Sequence, residues 1–304
     1  MLDASLFRPV RLPELESEAL HRPPISYWRD AWHRFSQNRL ALTGMGIIIA
    51  MVLVALVIGP LVSPYTYRQQ FLDNTFALPS AQHWLGTDFL GRDIFTRLCY
   101  GTRISLYIGV MAALLDLFIG AIYGGISGYL GGVVDDIMMR IVDILYGIPY
   151  LLIVILLLVV LDPGINTIIL AMGITNWVGM ARLVRGQVLQ LREQDYVQAA
   201  KALGASPARI IFRHLLPNTL GVMVVQLTFT IPVAIFGEAF LSFIGLGVPL
   251  PQASLGTMVN DGYQYLRIYP HLLFFPASAI SLLMLGFNFM GDGLRDALDP
   301  RLRE

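Results

Sequence analysis

Few residues in this chain can support chemistry. Lys201 is the only lysine and is followed by Ala202, so a phosphate-binding loop of the form GxxxxGK[ST] cannot be built from these 304 residues. Any ATP hydrolysis linked to the protein must then occur on another chain, together with its ATP and Mg. Five histidines (His21, His33, His83, His214, His271) are scattered without HExxH or paired spacing. A lone cysteine, Cys99, excludes an intramolecular disulfide and a thiolate metal cluster. No cofactor or metal site is expected on this chain. Nor can a nucleophile, a base and an orienting group be assembled from these residues, which disfavours an enzyme.

What remains are polar groups inside apolar runs. Asp116 lies in Met111-Ala-Ala-Leu-Leu-Asp-Leu-Phe-Ile-Gly120, and Glu238 follows Pro232 in Phe236-Gly-Glu-Ala-Phe-Leu-Ser242. A charge at the centre of a spanning helix costs about 2.5 to 3.5 kcal/mol on insertion scales, so both acids should face protein or water. Either they line a solvated pathway for a polar solute, or hydrogen bonds lock them at helix contacts. Gln226, Thr230 and Gly237 return to one face of the same helix as Glu238, a polar stripe that suits a pore wall or interhelical glue. Gly120, Gly124, Gly128 and Gly132 recur every four residues and read as a small-residue packing ridge.

One interruption stands out between the apolar runs, from Tyr196-Val-Gln-Ala-Ala-Lys-Ala-Leu-Gly204-Ala-Ser206-Pro207 through Arg209 and Arg213 to Leu216-Pro217. Gly204 suits the position just past a helix end, and Ser206-Pro207 suits the N-cap and first residue of a second helix. The pattern is helix, tight turn, helix. Ala199, Ala200 and Ala202 keep the first helix thin enough for another surface to approach its backbone.

The elements that position these residues follow from composition. With 56% hydrophobic and 14% charged residues and a mean hydropathy of +0.64, the chain is an all-α integral membrane protein. Six spans are expected, roughly 41 to 62, 104 to 130, 137 to 161, 165 to 181, 218 to 243 and 271 to 290, each near the length that crosses about 30 Å of hydrocarbon. The fourth is short and carries Asn166 and Asn176, so neighbours must shield it. With both termini inside, sixteen Arg and Lys fall in cytoplasmic segments and five (Arg68, Arg92, Arg97, Arg103, Arg267) fall outside. Residues 1 to 40 form a cytoplasmic tail, too polar for a secretory signal, ahead of a transmembrane domain over 41 to 304. In that tail Trp28, Trp32 and Phe35 at i, i+4, i+7 read as an amphipathic helix in the lipid interface, the other reading being a disordered tail. Residues 63 to 103 and 245 to 268 carry enough aromatics and turn residues to fold over the mouth of a pore or to dock a partner.

Residues 198 to 217 resemble the "EAA" signature of binding-protein-dependent ABC importer permeases, through Gln198, Ala199, Ala200, Gly204, Leu216 and Pro217. Gln198 replaces the usual acid, and His214 the usual apolar residue. The Gly86-Thr-Asp-Phe-Leu-Gly-Arg-Asp93 box, the run from Gly237 to Gly247 and the ending Gly291-Asp-Gly-Leu-Arg-Asp-Ala-Leu-Asp-Pro300 extend the likeness. Over residues 27 to 304 the chain resembles the "C" permease subunit of the oligopeptide/dipeptide/nickel group of these importers.

That resemblance implies a type I importer permease of about six spans, N-in and C-in, in a bacterial inner membrane, importing di- or oligopeptides, or nickel or another small solute. It also implies a homologous second permease, two cytoplasmic ATPase chains and an extracytoplasmic solute-binding protein, with no nucleic acid. Gln198, Ala199, Ala200, Lys201, Gly204, Ala205, Ser206, Arg209 and Arg213 would form the coupling segment on the ATPase; Gln226, Thr230, Glu238 and Asp116 are the candidates for the pathway. A secondary transporter using Asp116 and Glu238 as a proton relay is the competing class, and it requires inverted repeats. No convincing repeat relates the halves.

Overall fold

The computed structural model describes residues 27–299, all helix and connecting loop. The calls on residues 1 to 26, and the end from Pro300 on, lie outside the described residues. An amphipathic helix α1 (Tyr27–Gln37) leads to α2 (Arg39–Val62), whose first turn is capped by the Asn38 side chain accepting from Leu40 N and Ala41 N. α3 (Ile94–Leu130), α6 (Ile165–Leu191), α8 (Pro207–Phe243) and α10 (His271–Leu298) are also long and apolar enough to span. α4 (Gly132–Gly147) and α5 (Tyr150–Val160), bent by 84° at their junction, are together long and apolar enough for a sixth crossing or a re-entrant loop. Short helices α7 (Asp195–Ala202) and α9 (Leu255–Gln264) lie between spans.

Five spanning helices, six crossings if the bent pair is one, fit the expected architecture, with several changed bounds. α3 begins ten residues before 104 because Asp93 caps it, accepting from Thr96 N at 2.8 Å, and the polar first turns lie inside a folded outer cap. The third span breaks at Ile148-Pro149, where proline has no donor to continue a helix. The fourth is not short: it runs on as α6 to Leu191 beyond the last apolar stretch. α6 packs along α3 more extensively than any other helix pair, which half-buries Asn176, whereas Asn166 in the first turn stays exposed at the outer end and needs no shielding.

Glycine makes that approach possible. A Cβ on Gly124 would lie 2.3 Å from the Ala181 carbonyl oxygen, and one on Gly128 2.9 Å from that of Arg185. Gly132 drops out of the expected ridge: its φ is +53°, open space surrounds it, and it starts α4. In α2 and α8 a wide i→i−5 turn precedes Pro60 and Pro217, with Gly59 N bonding Val54 O and Leu216 N bonding Ile211 O. Widening the helix accommodates the donor each proline lacks. In α8 the consequence is larger. The second helix of the expected hairpin is no separate element but the base of the fifth span.

Candidate functional site: the coupling segment and the interhelical polar groups

The segment after α6 is held from behind and bare in front. Arg192 ends α6 by donating from Nη1 to the Gly128 carbonyl at 3.0 Å, and the Gln198 side chain donates to the Arg192 carbonyl at 3.0 Å. An ionised glutamate has no proton to give there, so this neutral helix-end contact depends on the Gln198 amide. Val197 is fully buried among Val184, Val188, Ile210 and Leu215, which fixes α7 to both α6 and α8. Lys201 sits over the Tyr129 ring at 5.5 Å, tying α7 to the end of α3. Sequence reasoning missed Val197 and Arg192; the apolar i+3 relation of Val197 to Ala200 inside a polar stretch was the available signal.

Gly204 takes φ +79°, the left-handed conformation its position in the sequence predicts, with its N–H on the Lys201 carbonyl at 2.9 Å. Ser206 caps the next turn by accepting from Arg209 N, with Pro207 first in the helix. Gln198, Ala199, Lys201, Ser206, Arg209 and Arg213 are exposed, and Ala200 and Ala205 half-buried. Nothing lies within 4 Å of where a Gly204 Cβ would be. Leu203 is 88% exposed, the largest exposure of any large apolar side chain among the described residues. Its place in a polar, basic loop sets it apart from the lipid-facing leucines.

Behind this element, Asp135 of α4 accepts from Arg185 Nε and Nη2 of α6, each at 2.6 Å, and from Ser127 of α3. One carboxylate thereby clamps three helices. Nothing in the hydropathy marked it beyond an acid at the start of a span.

Of the interhelical acids, Glu238 is 0% exposed. Its Oε2 accepts from Ser105 of α3 at 2.9 Å and its Oε1 from Ser242 at 2.7 Å. Ser105 in turn accepts from Leu255 N at 3.1 Å, and Ser254 caps α9. Glu238 is thus the knot of α3, α8 and α9, the hydrogen-bonded arrangement of the two open to it. Gly256 lets α9 reach this knot, since a Cβ there would fall 2.4 Å from Ala239 Cα. Asp116 is 2% exposed, and its Oδ1 has no hydrogen-bond partner; the Tyr150 hydroxyl nearby also has none. Asp116 and Glu238 share no partner. Gln226 and Thr230 are half-buried, with Thr230 Oγ1 bonded to the Gln226 carbonyl, whereas Gly237 turns toward Met172 of α6.

At the outer end the Gly86–Asp93 box closes on itself. Asp88 accepts from Arg92 Nε at 2.6 Å and from the backbone of Leu90 and Arg92, and Arg97 Nε lies 3.5 Å from it. Asp261 of α9 faces Arg92 and Arg97 at 3.4 and 3.7 Å; burial pushes its carboxyl above the usual range while the two arginines oppose the rise. His83 Nδ1 meets Asp93 at 2.9 Å. Gly91, at φ +69°, has no room for a side chain: its Cβ would lie 1.9 Å from the Phe71 carbonyl oxygen. The loop before α3 and the segment carrying α9 are therefore one outer cap.

The family model described as "Binding-protein-dependent transport system inner membrane component" matches residues 117–304, which hold the whole coupling segment. The chain belongs to this family. It is a multi-pass inner-membrane transport component, a permease subunit of an ABC importer. A second model, "N-terminal TM domain of oligopeptide transport permease C", matches residues 26–79. The permease is 56% identical to the dipeptide transport system permease protein DppC of Bacillus subtilis (95% of this chain, 90% of that one). It is 53% identical to the oligopeptide transport system permease protein OppC of the same organism (99% and 98%). A chain of the MetNI methionine ABC transporter superposes with a TM-score of 0.50 at 21% identity, covering 66% of this permease and 94% of that chain. That likeness is one of fold.

Proposed function

We propose that this permease forms half of the translocation pathway of a di- or oligopeptide importer, paired with a homologous permease, fed by an extracytoplasmic binding protein and driven by two cytoplasmic ATPase chains. The names of the relatives above support the peptide. ATP and Mg belong to the ATPases. The observation that carries the coupling is Leu203 and Gly204 projecting from a short helix whose back is locked to α3, α6 and α8. A thin apolar tip ringed by Lys201, Arg209 and Arg213 suits a cleft on the ATPase. Because α8 starts at Pro207 without a break, motion of that cleft is delivered straight to a pathway helix.

Gln226 and Thr230, half-exposed polar side chains midway along α8, line the path. Glu238 and Asp116 serve it from behind its wall. Uptake by the importer reconstituted in vesicles tests the reading: radiolabelled di- and tripeptides should enter only with internal ATP and the binding protein. Uptake of Ni²⁺ in place of peptide would move the permease to the metal branch of its group, and peptide uptake without ATPases would favour a secondary transporter.

A further inference from the structure

At the cytoplasmic end of the spans lies a groove that neither coupling nor the pathway uses. It encloses about 230 Å³, with Ala31, Trp32 and Phe35 of α1 facing Met45 of α2 and Met290 and Leu294 of α10. No side chain lining it is charged. Three observations bear on its occupant. Residues 28, 31, 32 and 35 form a stripe at i, i+3, i+4, i+7, with Trp28 and Trp32 more than half exposed, as in a helix lying at the headgroup boundary. The groove is continuous with the lipid-facing side of α2, because Leu42, Met45 and Ile49 share one helical face and Leu42 and Ile49 are exposed. The exposed charges on α1, at the start of α2 and at the end of α10 are of both signs, Arg29, Arg39 and Arg295 with Asp292 and Asp296, so no single-sign patch is there to draw a charged macromolecule.

We propose that this groove holds one acyl chain of a membrane phospholipid, bound as part of the structure rather than as passing annular lipid. An apolar cleft continuous with a lipid-facing helix surface gains dispersion contacts when filled by a chain and loses them when left partly empty. The bound chain wedges α1 against α2 and α10, beside the buried contact of Phe35 with Ala41 and Ala297. It makes α1 a lipid-dependent brace on the first and last spans.

Native mass spectrometry of the assembled importer, washed extensively in detergent, tests this. Wild type should retain one more phospholipid per copy of this permease than Ala31→Phe, in which the added ring fills the groove. Leu294→Phe, filling it from the opposite wall, provides the same reading should Ala31→Phe assemble poorly. In nanodiscs of brominated-chain phosphatidylcholine, Trp32 fluorescence should be quenched in wild type and less so in the filled variants. Equal retention and equal quenching in all three overturn the proposal. So does increased lipid retention after deletion of residues 2 to 26, because that segment would then be the natural occupant.

Discussion

The outer cap and the coupling segment are both loops between spans, and they treat their polar and apolar groups in opposite ways. In the cap, Asp88, Arg92, Arg97 and Asp261 are turned onto one another, and Phe76 stacks on Tyr269 at 4.6 Å. At the inner end, Leu203 points into solvent and Gly204 has empty space around it. A loop that consumes its own contacts is built to hold shape; one that is braced behind and bare in front is built to be completed by another chain. The difference explains why glycines recur in both with different jobs. Gly91 makes room for the Phe71 backbone, and Gly204 makes room for a partner.

The largest effect that could break this contrast is expected in the cap. Arg92→Ala takes from buried Asp88 the guanidinium it bonds at 2.6 Å and from Asp261 a second partner, a loss of about 3 to 5 kcal/mol. The melting temperature in detergent and the amount of permease in the membrane should both fall sharply. A variant that melts like wild type would show the cap to be loosely docked rather than locked.

Glu238→Gln should come next. It replaces one acceptor of a serine proton with an amide donor at the knot of α3, α8 and α9, for about 1 to 3 kcal/mol. Uptake and folded abundance are expected to decline together. Uptake falling alone, at normal abundance and melting temperature, would put this carboxylate on the solute instead. Asp116→Asn is expected to do the reverse, leaving the melting temperature unchanged or higher because its Oδ1 has no partner to lose, while peptide uptake drops. The smallest effect belongs to Gln198→Glu, which gives up one hydrogen bond to the Arg192 carbonyl, worth about 0.5 to 1.5 kcal/mol. ATPase binding should survive it, with at most a small loss of thermal stability.

Hydropathy alone conveyed the five long spans and the apolar α4–α5 pair, because each needs a run of apolar residues that no loop here contains. Local turn chemistry conveyed Gly204, Ser206 and Pro207, since left-handed φ, N-capping and a first-turn proline are demands on single residues. What escaped were features made by residues distant in the chain. The clamp of Asp135 on Arg185 and Ser127 needs α3, α4 and α6 together, and neither acid nor base announces its partner. Pro149 signalled a break that a long apolar run concealed. Fusion of the second hairpin helix with α8 was hidden by Pro217, which reads as a helix stop but is absorbed by one widened turn. Glu238 and Asp116 looked alike in sequence as acids in apolar runs. Ser105, brought up by α3, and Ser242 one turn further along α8 distinguish them.

Co-purification of the ATPase with Leu203→Asp and Gly204→Leu tests most directly whether the inner segment is a docking tip. Leu203→Asp removes the exposed apolar group at no cost to the permease's own packing. Gly204→Leu adds bulk where a partner must approach, and its left-handed backbone costs about 1 kcal/mol in addition. Both variants should reach the membrane in normal amounts, melt within a few degrees of wild type, lose most of the bound ATPase and abolish ATP-dependent uptake. Normal ATPase recovery and normal uptake in both would contradict the coupling role and reduce residues 198 to 213 to an ordinary loop.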